Sequence, residues 1–201
     1  MGKRGLLIVF SGPSGVGKGT VLKELLKINK NIKLSISATT RPKRDFEENG
    51  KDYYFLSEKE FLDVALNGGM LEYAKYCGNY YGSPKQQIKK WLNSGFDVVL
   101  EIEVEGGKKV RKNCSDAVGI FILPPSIKAL EKRLKGRGTE SKDVIINRLD
   151  RARKEIQVAF EYDYAVVNDE IEKCAQNMNA IIIAEKMKIK NIKNFIEEVL
   201  I

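Results

Sequence analysis

The chain has 201 residues, 43% of them hydrophobic and 31% charged, enough for one globular core with small inserted lobes and ordinary for a soluble protein. It holds no histidine, three cysteines and a formal charge of +8, which excludes Ser-His-Asp and Cys-His catalysis. Cys77, Cys114 and Cys174 are odd in number and far apart, which argues against a disulfide framework or a zinc site, and no apolar run approaches the roughly 18 residues that cross a bilayer.

Leu6 to Phe10 is a short apolar run bounded by glycines, the pattern of a fully buried strand. Basic residues ahead of it give a superficial likeness to a signal peptide. The run is too short, and a glycine-rich loop follows in place of a cleavage site, so the expectation is a first strand in a cytoplasmic protein. Val21, Leu22, Leu25, Leu26 and Ile28 recur at helical spacing. Residues from about 34 to 83 are rich in Tyr, Thr, Arg and Gly and read as short strands around one helix, which Ser57 and Glu60 open with a capping box. Ser83-Pro84 predicts a further helix with Pro84 at its first position. Asp97 to Ile102, Val118 to Leu123 and Ala165 to Val167 are further buried-strand candidates, each followed by a helical pattern. Between them, Ser126 to Glu161 is highly charged and reads as two helices joined through Lys135-Gly136-Arg137-Gly138-Thr139. The tail from Asp169 is helical with one or two breaks. This alternation predicts an α/β fold with a parallel sheet covered by helices.

Residues 12 to 20 read Gly12-Pro13-Ser14-Gly15-Val16-Gly17-Lys18-Gly19-Thr20. Gly12, Gly17 and Lys18 fit the G-x-x-x-x-G-K core of a phosphate-binding loop. Glycines let successive backbone N–H groups turn around phosphate oxygens, the following helix aims its positive end at the same anion, and Lys18 reaches the β and γ phosphates. Gly19 stands where such loops carry the Ser or Thr that binds magnesium, and Thr20 follows one place later. A phosphate oxygen is ionised at neutral pH and needs no histidine base to act as a nucleophile.

Four motifs in order resemble the guanylate kinase family: the loop just given; Ser37-Ala38-Thr39-Thr40-Arg41 with Arg44, Glu47, Gly50, Asp52 and Tyr53; Gly78-Asn79-Tyr80-Tyr81-Gly82-Ser83; and Arg133-Leu134-Lys135-Gly136-Arg137-Gly138-Thr139. The resemblance implies a P-loop NTPase-like core (about 1–33, 84–125 and 162–201), an inserted mixed α/β GMP-binding lobe (about 34–83) and a helical lid (about 126–161). It implies transfer of the γ-phosphoryl group of ATP to GMP, and to dGMP, with Mg2+ held mainly by phosphates and water and Thr20 as an added ligand. The implied partners are ATP and GMP, with neither nucleic acid nor membrane, in a monomer or homodimer.

By the same resemblance Gly12 to Thr20 and Asn168 hold ATP. Arg41, Arg44, Tyr53 and Tyr81 bind the GMP phosphate, a task suited to guanidinium forks and phenol donors. Glu72 reads the N1–H and N2–H edge of guanine, helped by Ser37 and Ser83; adenine lacks both donors and would leave the carboxylate unpaired. Lys18, Arg41, Arg133, Arg137 and Arg148 carry the catalytic charge. Glu103, also implied at the GMP site, departs from the usual Asp; Glu105 replaces a Gln, and Phe46 replaces a Gly beside Arg44. Binding-only relatives of such kinases typically lack an intact phosphate loop, and this loop is intact.

Overall fold

The structure, a computed structural model, describes residues 4–76, 78–136 and 142–201. In chain order the elements are β1 (Leu7–Ser11), α1 (Lys18–Ile28), β2 (Ile32–Leu34), β3 (Ala38–Thr39), β4 (Tyr54–Phe55), α2 (Glu58–Leu66), β5 (Met70–Tyr76), β6 (Asn79–Pro84), α3 (Lys85–Asn93), β7 (Asp97–Glu101), α4 (Val104–Asn113), β8 (Val118–Leu123), α5 (Ile127–Lys135), α6 (Lys142–Gln157), a 3-10 turn (Val158–Glu161), β9 (Tyr164–Val167), α7 (Ile171–Lys186) and α8 (Ile189–Val199). They form two compact units: Met1–Ser11 with Asn31–Gly119, and Gly12–Lys30 with Ile120–Ile201.

In the first unit β7 pairs in parallel with β1 and with β2, in registers Leu7↔Val98 and Ile32↔Asp97. Ile8, Val9, Phe10, Val98 and Val99 are wholly buried, as expected of strands covered on both faces. α3 packs against β7, and α4 against β1 and β5. A second sheet has the order β4-β3-β6-β5. Here β3 runs parallel to β4 and antiparallel to β6, and β5 antiparallel to β6. Its core is Ala38, Phe61 and Met70, with Tyr54, Leu56, Ala65 and Tyr80 packed around. The expected capping box is present: Glu60 N–H donates to Ser57 Oγ, and Ser57 N–H to Glu60 Oε2.

In the second unit β8 and β9 pair in parallel, Ile120↔Tyr164 to Leu123↔Val167. α1 buries Val21, Leu22 and Leu25 and packs against α7, which buries Cys174, Ala175, Met178 and Ile182. Burial pushes the Cys174 thiol up to about 11, so it stays a protonated apolar filler. α5 and α6 share a core of Leu130, Leu134, Ile145, Leu149 and Ala152. α8 leaves Ile189, Phe195 and Val199 exposed.

One expectation changes and one strand is added. Pro84 is the N-cap of α3 and not its first residue, because its ψ of 122° is still that of the strand it ends. Ile32–Leu34 is a third strand beside β7; three residues with a central lysine carry too little pattern to be read as one.

Candidate active site

The phosphate loop turns between β1 and α1. Gly17, the N-cap of α1, has φ 100°, and a Cβ there would lie 2.6 Å from Asn168 Nδ2, so both backbone and space require glycine. α1 has neither an acidic residue in its first turn nor a side-chain cap on its N-cap residue, which leaves the positive end of the helix to an external anion. Lys18 Nζ donates to the Gly12 carbonyl at 2.8 Å and the Pro13 carbonyl at 3.4 Å, which folds the ammonium back along the loop. Thr20 is exposed in the first turn of α1.

Three other expected residues join this loop. Arg133, on the last turn of α5, donates to the Val16 carbonyl at 3.0 Å and the Asn168 carbonyl at 2.7 Å. Asn168, just after β9, is buried and donates from Nδ2 to the Val16 carbonyl at 2.8 Å, while its Oδ1 has no partner among the described residues. Arg148, on α6, donates to Ser14 Oγ at 3.0 Å. The loop, Arg133, Arg148 and Asn168 are thus one connected group. Arg137 lies outside the described residues.

The first unit gathers a second group. Tyr81 and Ser83 are two apart on β6, so they share a face of the strand. Arg41, two residues beyond β3, forms a bidentate pair with Glu47, NH2 to Oε1 at 2.7 Å and NH1 to Oε2 at 3.0 Å. Glu47 Oε2 also accepts the Arg44 N–H at 2.9 Å, and the buried Glu47 therefore fixes both the guanidinium and the loop behind it. The Arg41 guanidinium holds the Glu47 carboxyl below the usual carboxylate range. The Arg41 guanidinium lies 5.5 Å from the centroid of the Tyr53 ring, and the Tyr53 and Tyr81 rings meet edge-on at 6.2 Å. Arg44 and Phe46 are exposed on the same loop.

Glu72, on β5, is buried at 8% exposure, and Ser83 Oγ donates to its Oε1 at 3.1 Å. A register shift between Met70 and Tyr73 places Glu72 beside Ser83. Burial raises the Glu72 carboxyl above its usual value, opposed by the Ser83 hydrogen bond and the Lys109 charge. Ser37 precedes β3 and is half-buried, its carbonyl accepting from the Tyr54 N–H at 2.9 Å. Glu103 is the exposed N-cap of α4 and makes no side-chain capping bond.

The Guanylate kinase family model matches residues 4–185. The chain belongs to the guanylate kinase family. A guanylate kinase of Streptococcus thermophilus (strain CNRZ 1066) is 51% identical over 193 residues, 96% of this chain and 92% of the relative. One from Lactiplantibacillus plantarum is 50% identical over 201 residues, 100% of this chain and 98% of the relative. The crystal structure of guanylate kinase from Anaplasma phagocytophilum superposes with a TM-score of 0.76 at 37% identity, covering 93% of this chain and 89% of that one. The guanylate kinase match includes the loop, Arg133, Arg148 and Asn168 as well as the Arg41 and Glu72 groups, and ends before α8. Sequence reasoning placed Glu47 in a motif but gave it no role; its spacing of six from Arg41 across a loop shows no periodic signal.

Proposed function

We propose that this chain transfers the γ-phosphoryl group of ATP to GMP, giving ADP and GDP, and accepts dGMP as well. The observation that carries the choice of base is the buried Glu72 carboxylate held by Ser83. Two carboxylate oxygens match the N1–H and N2–H donors of guanine, and a base without them leaves a desolvated charge unpaired.

The phosphate oxygen of GMP attacks the γ-phosphorus in line, and positioning and electrostatics supply the rate enhancement. The loop amides from Gly12 to Thr20 and Lys18 hold the ATP phosphates. Lys18 exchanges its carbonyl partners for phosphate oxygens, a stronger charge-assisted bond. Asn168 borders the nucleoside of ATP, with an unpartnered Oδ1 as a free acceptor. Arg133, Arg137 and Arg148 belong to the lid segment 126–161 and offset the charge on the transferring group. Arg41, Arg44, Tyr53 and Tyr81 take the GMP phosphate, Ser37 and Ser83 assist Glu72, and Glu103 completes the GMP lobe.

Among the described residues no three Asp, Glu, Cys or His side chains converge on a metal site. Mg2+ keeps several waters and takes substrate phosphates as ligands, and Thr20, exposed in the first turn of α1, could add one oxygen. Bound there, the ion would supply charge neutralisation on the phosphate oxygens. No helix among the described residues is long and apolar enough to cross a membrane; a cytoplasmic location and a monomer or homodimer belong to the proposal.

A coupled ADP-release assay with ATP, Mg2+ and GMP, AMP, UMP or dTMP tests the reading. Turnover confined to GMP supports it, and equal turnover with AMP defeats the assignment of Glu72. Lys18→Ala is expected to abolish turnover with an unchanged circular dichroism spectrum.

A further inference from the structure

α4 begins with an unusual choice. Gly106 and Gly107 stand in and just after its first turn, although glycine is among the poorest helix formers. Both are buried. A Cβ built on Gly106 would lie 3.1 Å from Glu72 Oε2, and 2.7 and 2.8 Å from Ile102 Cδ1 and Cγ1. Gly106 is the third residue of the helix, where a backbone N–H has no partner within the helix and the dipole is positive. The two oxygens of Glu72 are therefore placed separately: Oε1 by the Ser83 hydroxyl at 3.1 Å, and Oε2 by its close approach to the first turn of α4.

We propose that Gly106 is a positioning residue for base selection: its missing side chain lets the Glu72 carboxylate settle against the N-terminal turn of α4, which holds Oε2 in line with Oε1 for the paired donors of guanine. The inference rests on the reading of Glu72 as the guanine-selecting group. A methyl at Gly106 displaces Oε2 and tilts the carboxylate out of the plane the base requires. Contacts to ATP lie elsewhere in that reading and are untouched. Helix propensity by itself favours alanine at this position, so a loss of function in Gly106→Ala does not come from weakening α4.

The experiment is steady-state kinetics of the full chain with both substrates varied, alongside thermal melts. Gly106→Ala is expected to raise the KM for GMP on the order of tenfold, with the KM for ATP unchanged and a cooperative melt. The Ile102→Ala/Gly106→Ala pair separates the two contacts, because removing the Ile102 side chain leaves Glu72 as the crowded neighbour; the GMP defect is expected to persist relative to Ile102→Ala alone. Glu72→Asp, which withdraws the carboxylate by one methylene, is expected to cost less in the Gly106→Ala background than in the parent chain. A wild-type KM for GMP in Gly106→Ala, an equal rise in both KM values, or a defect that vanishes with Ile102→Ala would overturn the inference. Glu72→Gln keeps the two failures apart. An unchanged KM for GMP in Glu72→Gln defeats the reading of Glu72 itself, whereas a raised one beside a normal Gly106→Ala defeats only the role of Gly106.

Discussion

A buried carboxylate with a raised pKa is a cost that the folded chain carries until guanine arrives. For Glu72 the folded state binds its proton more tightly than the unfolded state does. Its favourable contribution is present below the ordinary carboxyl value of 4.5 and is lost as pH rises through the raised value. Glu72→Gln is therefore expected to raise the melting temperature of the ligand-free chain at pH 7, with the difference closing below about pH 4.5; a scan of melting temperature against pH reads it. The same variant is expected to bind GMP more weakly, so stability and function move in opposite directions at one atom. Glu47 acts the other way, being held ionised by Arg41. Glu47→Ala unties Arg41 and the Arg44 N–H, and is expected to raise the KM for GMP about tenfold while sparing that for ATP; initial rates with each substrate in turn decide it.

Helix ends and strand registers place these side chains. Ser126 accepts the Ala129 N–H at 3.0 Å and starts α5, whose far end carries Arg133 to the phosphate loop. Ser126→Ala is expected to cost about 1 kcal/mol, or a melting temperature lower by about 2–4 °C, measured by calorimetry. The strands β1, β7 and β8 could be read from the chain because each centres on a continuous apolar run buried in its unit; β9 forms where expected but is not the buried strand its apolar run suggested, since only Val166 is buried while Ala165 and Val167 are exposed. β3 and β4, two residues each, carry no period, and β2 is split by Lys33. The phosphate loop was legible because its chemistry is local, nine consecutive residues that need no partner to be understood. The Glu72–Ser83 bond was not, since it depends on the register shift in β5 across from β6. The Arg41–Glu47 pair likewise arises from a loop whose closure no periodicity encodes, and Gly106 is intelligible only once Glu72 is seen beside it.

For the molecule as a whole, the family match stops at residue 185, while α8 runs on with an apolar face in solvent. Removal of residues 189–201 is expected to leave kcat and both KM values within about twofold, as a truncated chain in the same assay would show. The absence of histidine has another consequence once the burial of Glu72 is considered. Histidine is the side chain that ordinarily titrates between pH 5 and 8, and this chain has none to mask a carboxylate that exchanges its proton. Burial lifts the Glu72 carboxyl above its usual value, and guanine recognition must ionise it. Where the pH is low enough for Glu72 to be protonated, the arrival of GMP therefore discharges protons into the medium, and calorimetric heats grow more exothermic in buffers with larger protonation enthalpies. The share of that release lost in Glu72→Gln counts the protons carried by one buried side chain, and the remainder belongs to the phosphate of GMP itself.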